Sequence, residues 1–159
     1  MQKINVFSLL LTLSILIGSV ANAQVKKLEI KNITNCDAFI SLGMSIPSSA
    51  PTCALMYGSS VIMVPAGGVL YFGADEPPTS PYYVPGLPAG YIGYILTAKV
   101  YNGPTACMTT GGQIGESSCG YLAIDALTMV RDLSCNPCSA IKFKWTTMNP
   151  FIDAAMLIY

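Results

Sequence analysis

The sequence of 159 residues predicts an all-β protein, one disulfide-stapled β-sandwich or small barrel of about seven or eight strands. Three observations carry this expectation. Apolar residues beyond Val25 recur mostly with a period of two, the spacing of half-buried strands. Turn residues (Gly, Pro, Asn) interrupt them at short intervals. Six cysteines stand beyond a leader-like N-terminus, an even number suited to bridges in a small exported fold. With 52% of the chain hydrophobic and 10% charged, the length suits one domain around one core.

Residues 1–23 read as a signal peptide. Lys3 precedes an apolar run from Val6 to Val20, which Ser8, Thr12, Ser14 and Gly18 interrupt, and Ala21-Asn22-Ala23 supplies small residues before a cut at Gln24. A membrane anchor needs a longer unbroken run, of about 20 residues, and no later stretch has one. Residues 24–159 then form the β domain.

In the first strand Leu28 and Ile30 alternate with Lys27, Glu29 and Lys31, and a break at Asn32 to Asn35 leads to a second strand from Asp37 to Met44. After a break at Pro47 to Pro51, Val61–Val64 and Val69–Phe72 flank Pro65-Ala66-Gly67-Gly68, which predicts a hairpin. Tyr91–Tyr101 is the longest strand candidate, with Ile92, Tyr94, Leu96, Ala98 and Val100 on one face. Leu122–Leu133 fits a helix face as well as a strand, and a strand from Leu127 is expected because another follows closely. Ile141, Phe143 and Trp145 alternate with Lys142, Lys144 and Thr146, which makes Trp145 a core anchor. After Asn149-Pro150, Ile152–Tyr159 reads as a last strand buried on both faces.

All six cysteines, Cys36, Cys53, Cys107, Cys119, Cys135 and Cys138, are disulfide candidates. They allow 15 connectivities. Pairing between sequence neighbours that bracket turns suggests Cys36 with Cys53, Cys107 with Cys119 and Cys135 with Cys138. Cys135-Asn136-Pro137-Cys138 matches the spacing of thiol redox and zinc sites. A strand pattern follows it where a redox cysteine needs a helix N-terminus, so a structural bridge is expected, and the turn is compatible with a cis Asn136–Pro137 bond.

The chemistry in the composition is sparse. No histidine is present, which removes the commonest general base and metal ligand. Eight basic and eight acidic residues, or one net negative charge without Lys3, give no footprint for nucleic acid. Asp75, Glu76, Glu116, Asp125, Asp132 and Asp153 could supply a glycosidase pair, but their spacing nominates none. Seven methionines beyond the leader are scattered, as core filling requires. Neither a cofactor nor a metal is expected. Asn32-Ile33-Thr34 matches the glycosylation acceptor pattern.

One stretch stands apart. Pro77 to Gly90 holds five of the 11 prolines and must be a loop, and Tyr82, Tyr83 and Tyr91 offer flat amphipathic faces for a sugar, a peptide or a second subunit. The plainer reading is a crossover whose tyrosines cover the core.

The run from Leu28 through Asn32-Ile33-Thr34-Asn35-Cys36 to Ile40 resembles the opening of small exported β-sandwich proteins of Bacteroidetes type. The likeness extends through Val64-Pro65-Ala66-Gly67-Gly68 and the cysteine placement, and it implies a fold without functional residues. The expected function is a non-enzymatic protein at or beyond the cell surface, structural, adhesive or ligand-binding. Its expected partners are a second copy, another surface protein or a glycan. The competing class is a secreted enzyme, either a thiol-disulfide oxidoreductase using Cys135 and Cys138 or an acidic glycosidase.

Overall fold

A computed structural model describes residues 25–45, 53–149 and 153–159; the expected signal peptide, the Pro47 to Pro51 break and Pro150 to Ile152 lie outside them. Among the described residues ten strands form two sheets. The first sheet contains β1 (Lys27–Asn32), β5 (Val69–Gly73), β8 (Ile124–Leu127), β9 (Ile141–Asn149) and β10 (Asp153–Ile158), in the order β5-β1-β10-β9-β8. The second contains β2 (Ala38–Ser45), β3 (Tyr57–Gly58), β4 (Ile62–Val64), β6 (Tyr94–Tyr101) and β7 (Gly111–Gly115), with β3 and β4 pairing successive parts of one edge of β2. All pairings are antiparallel except β1 with β10, which places the two ends of the described chain side by side.

The arrangement is sandwich-like because alternate residues of both sheets enter one core. Leu28, Ile30, Met156, Ile158, Phe143 and Trp145 come from the first sheet, and Ile40, Leu42, Met44, Val100 and Ile114 from the second. Trp145 is 3% exposed, as its alternation with Lys142 and Lys144 predicts. At about 25 cal/mol per Å² of apolar area, this cluster supplies the main driving force for folding.

Four local expectations change. Val61–Val64 and Val69–Phe72 do not form a hairpin: β4 pairs β2 and β5 pairs β1, so the Pro65–Gly68 turn carries the chain from one sheet to the other. Other segments hold that turn. The Ala66 N–H donates to Asp37 Oδ1 at 2.9 Å, the Gly67 N–H to the Thr34 carbonyl at 3.1 Å, and Gly67 has φ +68, which glycine adopts without strain. In β6 the register slips, with Met44 opposite Ile95 and Gly43 opposite Thr97. Leu96 is the extra residue of this bulge, so Ile95 takes the core position and Ile92 stays 58% exposed. The Leu122–Leu133 region forms a strand that ends at Leu127 instead of starting there. Finally, β10 buries one face only, through Ala154, Met156 and Ile158, while Leu157 is half-covered between its cross-strand partners Lys31 and Lys144. The stems of these two lysines supply that cover.

The expected disulfide pairing is also replaced. Cys36 bonds Cys138, Cys53 bonds Cys119 and Cys107 bonds Cys135, over separations of 102, 66 and 28 residues. Strand crossings between the sheets bring distant loops together, and bridging follows proximity in space. By chain entropy, loops of this size contribute about 3 to 5 kcal/mol each. The peptide bonds among the described residues are trans, Asn136–Pro137 included. No helix among them is long and apolar enough to cross a membrane.

Candidate functional site

The loop from Pro77 to Gly90 is a chain of turns anchored on both sheets. The Ser80 N–H donates to the Pro77 carbonyl, Tyr83 N–H to Ser80, and Tyr91 N–H to Pro88, at 2.8, 3.2 and 3.1 Å. The Gly73 N–H of β5 reaches the Tyr82 carbonyl at 2.8 Å, and the Ser60 N–H reaches Pro85 at 3.1 Å. Val84 and Leu87 are buried in the core cluster. The loop therefore closes the side of the molecule between β5 and the β3–β4 region.

Its three candidate tyrosines divide. Tyr83 is half-buried against the core and its hydroxyl donates to the Leu87 carbonyl. Tyr91 packs against the core and edge-on to Tyr57 at 5.0 Å, and its hydroxyl donates to the Ser45 carbonyl. Burial, with the nearby Tyr57 and Asp75, pushes the Tyr91 hydroxyl up to about 12. Tyr82 alone stays open, 48% exposed, its ring edge-to-face with Tyr71 at 6.4 Å and 89°.

Tyr71 and Tyr82 line a cleft of about 440 Å³ on the outer face of the first sheet, with Lys27, Glu29, Glu76 and Asp153. Strand pairing explains the set: Lys27 lies opposite both Gly73 and Asp153, and Glu29 lies opposite Tyr71. Gly73 provides the room, because a Cβ there would meet Glu76 Cγ at 2.4 Å. Asp153 Oδ1 is buried without a hydrogen-bond partner among the described residues. Beside the cleft, Lys26 and Asp75 form a partly exposed ion pair of small energetic weight. The expectations single out Tyr82 but omit Tyr71, Lys27 and Glu29. The signal for Tyr71 lay in Val69-Leu70-Tyr71-Phe72, where one aromatic must face outward if the other faces the core.

The other candidates are structural. Glu116 is buried, and its Oε1 accepts the Trp145 indole N–H at 2.7 Å and the Thr147 hydroxyl at 2.6 Å. Asp125 accepts the Gln113 N–H at 3.2 Å, joining β8 to β7. Asp132 accepts the N–H groups of Asn136 and Ser134, both at 2.9 Å, and these bonds, led by Asn136, hold its carboxyl below the usual range. Cys135 and Cys138 are each bridged elsewhere, so their expected mutual bond is absent. Asn32 is fully buried: its amide donates to the carbonyls of Cys36, Val64 and Pro65 and accepts the Thr34 N–H and hydroxyl. In the folded chain that side chain is a post between strands and has no room for a glycan. Among the described residues no group of three or more Cys, Asp or Glu side chains is placed to hold a metal ion.

A second concavity of about 420 Å³ lies on the outer face of the second sheet, where Ser41, Gly43, Thr97 and Gln113 form the floor and Leu55 and Tyr57 the rim. No family model matches the chain, and comparison with curated proteins and with solved structures returns no match.

Proposed function

We propose that the chain is an exported, non-enzymatic β-sandwich that acts by contact outside the cytoplasm, in adhesion or ligand binding, through the cleft between Tyr71 and Tyr82. The observation that carries this reading is the cleft itself: two exposed tyrosines, with carboxylates and a lysine, on a fold that three disulfides brace. Aromatic faces on rigid elements lose little entropy on binding. Three bridges, a leader-like N-terminus and the likeness of the opening strands to small exported Bacteroidetes-type proteins support export. The separate bridging of Cys135 and Cys138 weighs against a thiol oxidoreductase.

Retention on envelope fractions of the producing cell tests the reading. Mature protein should be retained, and Tyr71→Ala with Tyr82→Ala should lose most of that retention while melting at nearly the same temperature. Equal retention of the double variant overturns it. A second reading, an acidic glycosidase, draws on one observation: Glu76 and Asp153 line the same cleft. Polysaccharide hydrolysis that disappears in Glu76→Gln would favour it over contact alone.

A further inference from the structure

The edge of the first sheet beside the cleft has a pattern of its own. In β5 the Gly73 N–H points away from β1, toward the Tyr82 carbonyl, whereas the Ala74 N–H and the Gly68 carbonyl point inward, to Lys26 and Asn32. Alternation then directs the N–H and C=O groups of Val69 and Tyr71 outward, in step with Gly73. Among the described residues these groups have no partner. Val69 and Tyr71 are 39% and 51% exposed, and no proline, lysine or bulge protects the strand. Tyr83 already takes the position a further strand would hold at Gly73, with the Tyr82 carbonyl accepting the Gly73 N–H.

The cleft sits on the same face as the Tyr71 side chain. A residue added opposite Tyr71 would present its side chain on that face, with Cβ atoms about 5 Å apart. There it meets two tyrosine rings and three carboxylates, Glu29, Glu76 and Asp153, against the single ammonium of Lys27. Glu29, Glu76, Asp153 and Lys27 make no ion pair among the described residues. Such surroundings favour a cation with an apolar stem, which the rings attract and the carboxylates neutralise.

Resting on the contact reading above, we infer that the partner is an extended peptide segment carrying a lysine or arginine, which adds as a strand to β5 at Val69–Tyr71 and places its cation in the Tyr71–Tyr82 cleft. The backbone groups give affinity, and the charge gives selectivity.

The test uses mature protein and a short peptide alternating threonine and valine with one central lysine, compared with its glutamate and glutamine versions. Calorimetry should show the lysine peptide binding at least about tenfold more tightly than the glutamate one. Glu76→Gln should weaken the lysine peptide and leave the glutamine peptide unchanged. Val69→Pro removes an outward N–H at the first residue of an edge strand, where proline is tolerated, and should abolish binding with little change in melting. A lysine peptide N-methylated at its edge-facing amides should fail in the same way, whatever the variant does to folding. Equal affinity for the lysine and glutamate peptides, full affinity of the methylated peptide, or no binding at all overturns the inference. So does a dimer through β5 that excludes the peptide, or a neutral glycan that occupies the cleft instead. If the peptides fail while envelope retention still depends on Tyr71 and Tyr82, the inference falls and the contact reading stands. If retention fails too, both fall.

Discussion

Replacing Asn32 by alanine should be among the most damaging single changes in the chain. Its amide group is 0% exposed and joins the end of β1, the Thr34–Cys36 turn and the Val64–Pro65 exit from β4. Of the five hydrogen bonds it makes, three have substitutes in place: the Thr34 hydroxyl, released from Asn32 Oδ1, keeps the Cys36 carbonyl as its acceptor, which satisfies both groups, and the Gly68 N–H donates to Pro65. The uncompensated losses are the bonds to the Val64 carbonyl and from the Thr34 N–H. At about 1 to 3 kcal/mol for each buried group left without its partner, Asn32→Ala should cost about 4 kcal/mol. That is a large part of the about 5 to 15 kcal/mol that holds a typical domain folded. Asn32→Asp should cost more at neutral pH, because a carboxylate turns acceptors toward three carbonyl oxygens, and part of the loss should return when acid protonates it. Urea unfolding monitored by circular dichroism gives both numbers. An Asn32→Ala protein within about 0.5 kcal/mol of the parent would refute the assignment of this side chain as the post between strands.

Trp145→Ala should cost about 3 to 5 kcal/mol as a large-to-small core change, and native emission from this single tryptophan should be blue-shifted; a fully solvated maximum contradicts its burial. Serine at both Cys36 and Cys138 should cost about 4 to 5 kcal/mol by loop entropy, and non-reducing peptide mapping of the parent should recover Cys36 linked to Cys138, not Cys135 linked to Cys138. Because the Tyr91 hydroxyl is raised to about 12, its stabilising contribution should be complete below about pH 10 and lost as pH rises from there to about 12. Tyr91→Phe should remove the tyrosinate absorbance step near the upper value; a step that persists there refutes the assignment. Tyr83→Ala should cost about 2 to 3 kcal/mol in thermal unfolding and Tyr82→Ala less than about 0.5, since Tyr83 packs on the core and Tyr82 does not.

Where one face of a strand is buried, the sequence was legible. Leu28 and Ile30, and Ile141, Phe143 and Trp145, lie inward as their alternation requires. The rest depended on long-range geometry. The Pro65–Gly68 turn has the composition of a hairpin, but Asn32, Thr34 and Asp37 hold its backbone and send the next strand to the other sheet. A one-residue bulge at Leu96 reverses the inside-outside phase of β6, and single-residue insertions leave no mark in a periodicity. Bridges between neighbours were reasonable entropically, yet two sheets folded over each other bring Cys36 beside Cys138. The candidate loop was visible from its prolines. Which of its tyrosines is free was not, because that depends on Val84 and Leu87 reaching the core and drawing Tyr83 with them. The cleft itself draws Lys27, Glu29, Tyr71 and Asp153 together by strand register alone, and the loop after β5 adds Glu76 and Tyr82.

The most direct test of contact through this cleft is amide chemical-shift mapping of labelled protein spanning residues 24–159, titrated with solubilised envelope material from the producing cell. The account predicts perturbations confined to β5, Tyr82, Lys27–Glu29 and Asp153–Ala155, and their loss in Tyr82→Ala. Perturbations centred on the Leu55–Tyr57 rim and Gln113 of the opposite sheet, unaffected by Tyr82→Ala, would contradict it.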